Sequence, residues 1–271
     1  MTALLALASA ASFGTGDFLG GLASREADAR RVTLVAKAVS LSLMPVAALI
    51  VSGLPTSSGL LAGLAAGVFS PFGLASFYAA MARGPVSVVS PLTALFVAGV
   101  PVTVAVIGGE RPSVLIWLGA AVAVPAVVAM SIAGPIDARP SRITVGLALV
   151  AGLSFGATFA LFGTVPDDAG LWPVAVSNVT AVLVLLVLVR GVPVSRTPPT
   201  AIAAGVFDAL GNATFVLAAQ MGSLVLVAVL GSLYPVASVV LARLVLHERP
   251  RPIQLAGMAL ALVAVILLGL G

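Results

Sequence analysis

Three ionisable side chains lie inside long apolar stretches of the sequence: Asp17, Lys37 and Asp208. Charge among apolar groups is costly, so such residues usually bind an ion or substrate, or carry a proton. Asp208 is near the middle of a predicted helix, with Asn212 one turn later on the same face and Asn178 placed to extend the polar patch. Because burial disfavours a charged carboxylate, we expect Asp208 to carry a proton or to bind a cationic substrate group in its place. The alternative is a protonated Asp208 held only by hydrogen bonds to Asn and Thr side chains.

Asp17 and Lys37 flank the first arginine-containing loop at matching distances. Each lies about five residues inside its helix, which is roughly 7–8 Å at a rise of about 1.5 Å per residue. The two helices run in opposite directions, so the sequence predicts an Asp17–Lys37 ion pair that contributes to gating. Asp208 is expected to have no assured partner, and Lys37 is the one basic residue that could lie at its depth. Alternatively, the pair only neutralises itself, or Lys37 extends to the membrane interface.

Aromatic and proline residues fall at similar depths in the predicted helices. Phe13, Tyr78 and Tyr234 could bind flat or cationic ligands, although packing or lipid contact is the plainer interpretation. Prolines inside helices remove a backbone donor and kink the chain. Three such residues are therefore candidate gating or hinge positions, unless they are ordinary membrane-helix prolines: Pro91, Pro101 and Pro235.

The composition indicates that lipid is the solvent of this chain. It is 61% hydrophobic and 8% charged, with a mean hydropathy of +1.22, whereas a soluble domain is about 25% charged. With no cysteine, disulfides and thiolate metal sites are excluded. The net charge of +4 comes from scattered arginines and does not indicate nucleic-acid binding. No phosphate-binding G-x-x-x-x-G-K-[ST] motif is present, so we expect no ATP, metal or other cofactor.

Ten apolar runs predict ten transmembrane helices, because a span needs roughly 20 apolar residues. The runs are continuously apolar rather than alternating, which favours helices over barrel strands. The expected fold is an all-α membrane protein. The predicted spans are about 3–22, 32–52, 58–82, 86–108, 113–134, 143–163, 171–190, 199–220, 223–245 and 252–270.

The chain contains the same unit twice. Adding 138 to a residue number in the first half brings Gly73 onto Gly211, and the triplet at 110–112 onto the identical Glu-Arg-Pro triplet at 248–250. We therefore predict a first five-helix repeat at 1–134, a connecting loop at 135–142 and a second repeat at 143–271. Five spans are an odd number, so the second repeat enters the membrane from the opposite side and must be inverted.

The basic residues predict the orientation. Odd-numbered loops hold 11 of the 13, and positive loops stay in the cytoplasm, which places both termini outside.

The sequence resembles the EamA-like ten-helix branch of the drug/metabolite transporter superfamily. The resemblance rests on Ser12-Phe13-Gly14 with Asp17 to Leu22, on the segment from Gly84 to Arg111, and on the segment from Gly222 to Arg249 that contains Ser232-Leu233-Tyr234-Pro235. It covers both halves, although many relatives place their termini in the cytoplasm. It implies export or uptake of small metabolites, amino acids or drugs, often coupled to protons.

Together these features predict a secondary transporter of the cell membrane that works by alternating access. It is expected to bind a small-molecule substrate and a coupling proton or other ion, and to export the substrate. A lipid flippase or a passive channel on the same scaffold is the alternative. An intramembrane lipid enzyme is disfavoured because one histidine and no cysteine give little catalytic material.

Overall fold

The fold is described by a computed structural model, which covers residues 1–51, 53–83, 86–131, 141–192, 196–245 and 251–271. Helix makes up 84% of the chain, and these ranges contain no strand, so the predicted all-α fold is confirmed. The second Glu-Arg-Pro triplet at 248–250 and the connecting loop up to residue 140 lie outside the described residues.

The described residues form eleven helices, and their bounds follow the predicted spans closely. Eight segments are long and apolar enough to cross a membrane, while α5 and α7 are shorter apolar helices. The crossing of all ten segments remains a prediction. The helices are α1 Thr2–Glu26, α2 Ala29–Ile50, α3 Ser57–Arg83, α4 Val86–Ile107, α5 Val114–Ser131, α6 Arg142–Phe162, α7 Trp172–Leu188, α8 Pro199–Gln220, α9 Leu224–Gly231, α10 Pro235–Val245 and α11 Pro252–Leu270.

The ninth predicted span is broken into two helices. α9 ends at Gly231 and α10 begins at Pro235, with turns over residues 232–234. Proline has no N–H to donate and its ring crowds the carbonyl four residues earlier, which here belongs to Gly231. In contrast, Pro91 and Pro101 lie inside a continuous α4, so proline alone does not decide where a span breaks.

The helices pack in pairs that repeat when the two halves are exchanged. Helix α1 packs on α8 as α6 packs on α3, and α2 packs on α8 as α7 packs on α3. Helix α5 packs on α11, its own equivalent. Each half is therefore built against the other rather than as a separate bundle.

Glycines at equivalent positions allow this close packing. A Cβ at Gly73 would lie 2.7 Å from the Phe155 ring, and one at Gly211 would lie 2.7 Å from the Phe13 ring. Gly205 similarly faces the carbonyl of Ala36. Small residues let membrane helices approach where no hydrophobic force drives them together, so the glycines in register fix which helices meet.

One end of the bundle is tied by the start of α2. Arg30 donates to the Leu188 carbonyl at 3.4 Å, and Arg31 donates to the Val192 carbonyl. Asp28 caps α2 by accepting from the Arg30 N–H at 2.9 Å. The side-chain hydrogen bond from the Arg30 guanidinium lowers the pKa of the Asp28 carboxyl.

The other end is tied by contacts between further loops and by the N-terminus. Glu110 accepts hydrogen bonds from the Ser223 hydroxyl and, at 3.4 Å, from the Val225 N–H. The N–H of Leu54 donates to the Asp168 carbonyl at 2.8 Å. At this same end the hydroxyl of Thr2 donates to the Met221 carbonyl at 3.1 Å.

Candidate functional site

A buried ion pair joins the two halves of the protein. The Nζ of Lys37 lies 2.9 Å from both carboxylate oxygens of Asp208, and both side chains are at least nine-tenths buried. Lys37 projects from α2 and Asp208 from α8. Gly205, one turn before Asp208, lets the backbone of α8 come close to Ala36, and this contact brings the two charged side chains within reach.

The predicted ion pair between Asp17 and Lys37 is wrong, because Lys37, the one basic residue expected to be able to reach the depth of Asp208, pairs with Asp208 instead. Helices α1 and α2 pack more closely on α8 than on each other, so Lys37 faces Asp208. Among the described residues, Asp17 has no ion-pair or hydrogen-bond partner. It lines the same central cavity as Asp208.

The two asparagines do not bind the carboxylates. Asn212 donates to the backbone carbonyl of Asp208 at 2.7 Å, and Asn178 donates to the Ser40 hydroxyl at 2.9 Å. Asn212 still lines the cavity described below, whereas Asn178 bridges α7 to α2 beside it. The role of each in binding remains a prediction.

The charged groups share one central cavity. Its volume is about 40 Å³ for water-sized molecules, which is room for only a few waters. Asp17, Lys37 and Asp208 all line it. Because Lys37 is among them, α2 is one of the helices that enclose the cavity. Six aromatic side chains complete the wall: Phe13, Tyr78, Phe155, Phe159, Phe215 and Tyr234.

Four phenylalanine rings of the cavity wall, those of Phe13, Phe155, Phe159 and Phe215, are in contact with one another. The rings of Phe159 and Phe215 stack with centroids 4.4 Å apart, and Phe13 meets Phe159 at 5.3 Å. Such faces carry partial negative charge and attract cations. Phe159 was not singled out from the sequence, although its position one turn after Phe155 was an available signal.

The two tyrosines of the cavity are held by backbone carbonyls. Tyr78 donates to Gly16 at 3.5 Å and Tyr234 donates to Ser90 at 3.2 Å. Gly20 makes room for the Tyr78 ring, because a Cβ there would lie 2.0 Å from it. Tyr234 belongs to the break between α9 and α10, so its hydroxyl ties this break to α4.

The charged residues have uncharged equivalents in the other half. The Ser-Phe-Gly triplets align α1 with α6, and Gly205 packs on Ala36 as Gly67 packs on Ser177, which aligns α2 with α7 and α3 with α8. The resulting equivalents are Phe159 for Asp17, Asn178 for Lys37 and Ser70 for Asp208. The scaffold is thus repeated, but the charged site is made once.

Comparison with known proteins agrees with this architecture. A profile of the EamA-like transporter family matches residues 1–132 and again residues 142–270. A solved crystal structure is similar over 97% of this chain and 96% of its own, with a TM-score of 0.74 and 16% identity, which shows a shared fold. No curated protein matches this sequence.

The apolar helices and the double match together indicate an integral multi-pass membrane protein. The matched family is one of transporters and not of enzymes. The chain therefore belongs to the EamA-like transporter family, within the drug/metabolite transporter superfamily.

Proposed function

We propose that this protein is a secondary transporter that exchanges protons for a small molecule bearing a positive charge, by alternating access across the cell membrane. The observation that carries the proposal is a central cavity lined by two acids and one base. Lys37 and Asp208 neutralise each other at 2.9 Å. Asp17 remains beside them with no basic side chain within bonding distance among the described residues.

The charge balance of the cavity explains why a cation is expected. With all three groups ionised, the net charge is that of one carboxylate. Coulomb interactions are strong in a water-poor site, and an uncompensated buried charge is costly. One positive charge, either a proton or a cationic group, is therefore expected at Asp17. Because each would exclude the other, binding of one lowers the affinity for the other by the same factor.

The aromatic wall suits the rest of such a molecule. Phe13 and Phe159 line the same cavity as Asp17, and aromatic rings can stabilise organic cations as well as apolar groups. Amino acids, small metabolites and drugs with an amino group, the classes implied by the family resemblance, all carry the required charge.

Alternating access is supported by the ties at the two ends. Arg30 and Arg31 tie the loops at one end, and Glu110 ties those at the other. We propose that the two sets of contacts open in turn. The helix pairing, which is preserved on exchanging the halves, supports an inverted repeat in which the two openings are equivalent movements. Inward proton flow would then drive export.

A proton-release measurement tests the proposal. A panel of amines and cationic drugs is first screened for ligands that raise the thermal stability of the purified protein. Adding such a ligand in weak buffer should release protons from the wild type and far fewer from Asp17→Asn. In proteoliposomes, an imposed pH gradient should drive uptake of the same ligand by the wild type but not by Asp17→Asn.

The matched control is Asp167→Asn, which removes an exposed carboxyl from a loop and should leave both signals unchanged. Proton release that persists in Asp17→Asn would remove Asp17 from the coupling. Flux that ignores the gradient in the wild type would favour a passive channel instead.

A further inference from the structure

A second and much larger cavity opens on the lipid-facing side of the bundle. It lies between α4 and α5, with contributions from α6 and α9, and has a volume of about 570 Å³. Leu95, Val124 and Val128 line it and are each more than two-fifths exposed. We call this cavity the α4–α5 cleft.

The lining of the α4–α5 cleft is suited to hydrocarbon. Every described lining residue is apolar except Ser232, and the Ser232 hydroxyl donates to the Val229 carbonyl at 2.7 Å. A charged or hydrogen-bonding ligand would therefore lose its hydration without replacement, which is unfavourable. Along α4 the cleft runs from Pro91 to Val102, roughly 16 Å at about 1.5 Å per residue. One leaflet of the hydrocarbon core is about 15 Å deep.

The cleft is separated from the central cavity by a wall one helix thick. On α4, Val97 lines the central cavity while Ala98 lines the cleft. On α9, Gly231 lines the central cavity while Ser232, in the break before α10, lines the cleft. An occupant of the cleft would thus contact the interrupted span at Val229 and Ser232.

We propose that the α4–α5 cleft is a binding site for an acyl chain of a bilayer lipid, which it holds in preference to the rest of the lipid-facing surface. An acyl chain is the expected occupant because the lining is apolar, the cleft opens to lipid, and the length of the cleft matches the depth of one leaflet. The site does not depend on the proposed transport activity.

A cleft-filling substitution tests the proposal. Gly99 lines the cleft, and a Cβ there would meet no atom within 4 Å, so Gly99→Trp projects into the space without a backbone clash. The protein is reconstituted with a phospholipid that carries a photoreactive diazirine in one acyl chain, and adducts are mapped by peptide mass spectrometry. In the wild type they should concentrate on 91–102 and 120–128, and Gly99→Trp should lose most of them.

Two further variants make the result interpretable. Gly269→Trp on α11, where a Cβ also meets no atom within 4 Å, should keep the adducts on 91–102 and 120–128. If Gly99→Trp does not fold, Gly99→Leu replaces it, and this smaller side chain should remove part of the adducts. Adducts spread evenly over other exposed surfaces, such as those of Leu183 and Leu262, would overturn the proposal. So would cross-links between two copies through Leu95, which would make the occupant a second chain.

Discussion

At the scale of single residues, the Lys37–Asp208 pair is an ion pair within the interior. Both side chains are buried, and both oxygens of Asp208 lie 2.9 Å from the same ammonium group. Removing one member of such a pair leaves a buried charge without compensation, whereas replacing both by apolar groups is often neutral for stability. The pair can therefore serve transport without being needed for folding.

This distinction gives a prediction about stability and transport. Asp208→Leu and Lys37→Met alone should each lower the free energy of unfolding by about 3–5 kcal/mol. The double variant should recover most of the loss but transport no substrate. Thermal unfolding followed by the fluorescence of Trp117 and Trp172 measures the first effect. Single variants as stable as the wild type would mean that the pair is weaker than its geometry indicates.

At the scale of secondary-structure elements, paired glycines set the distances between helices of opposite halves. Gly73 receives the Phe155 ring and Gly211 receives the Phe13 ring, with the same 2.7 Å separation from an added Cβ. Both phenylalanines line the central cavity. The same contacts thus hold the halves together and shape the wall of the site.

Alanine substitutions should therefore be unfavourable at both glycines. We expect Gly73→Ala and Gly211→Ala each to destabilise the protein by about 1–3 kcal/mol, the usual range for overpacking. Combining Gly73→Ala with Phe155→Leu should restore part of the loss. Gly146→Ala is the control, because a Cβ there meets no atom within 4 Å, and it should be neutral or stabilising by up to about 1 kcal/mol. Equal effects at Gly73 and Gly146 would contradict the packing explanation.

The break between α9 and α10 gives a second prediction at this scale. Pro235→Ala supplies the missing N–H and relieves the ring contact, which should favour a continuous span. If the break is a hinge, transport should slow while thermal stability is retained, and amide hydrogen exchange at residues 232–234 should also slow. Unchanged transport with slower exchange would show that the break only accommodates the Tyr234–Ser90 contact.

At the scale of the whole molecule, the loops gather at two ends in the order that alternating spans require. Arg30 near the first loop reaches Leu188 at the seventh, while Leu54 in the second reaches Asp168 in the sixth. Thr2 joins the second group through Met221. The arginine distribution then predicts that the first group is cytoplasmic.

Cysteine labelling tests this orientation in a chain that has no native cysteine. Arg25→Cys and Arg190→Cys should react with a membrane-impermeant reagent only from the cytoplasmic side. Asp167→Cys should react only from outside. Reaction of Arg25→Cys and Arg190→Cys from opposite sides would rule out the predicted topology, and reversal of all three would invert its orientation.

The sequence by itself determined that lipid is the solvent, where the helices lie, that the unit is duplicated and which apolar stretches carry a charge. Each of these follows from the order of the residues without knowing which helices meet. A run of apolar residues predicts a span wherever it packs, and Asp17, Lys37 and Asp208 stand out because their neighbours carry no charge. The family resemblance added the expectation of transport, and the double family match supports it.

Only the tertiary structure decided which acid pairs with Lys37, that Asn178 bonds to Ser40, and where the ninth span breaks. Because α1 and α2 are neighbours in sequence, Asp17 was the predicted partner of Lys37. The rotation and the packing partner of a helix, however, depend on contacts made across the two halves. Gly205 against Ala36 brings α8 to α2, and no pattern within either helix encodes that meeting. Pairing is a property of two surfaces, so it becomes visible only when both are in place.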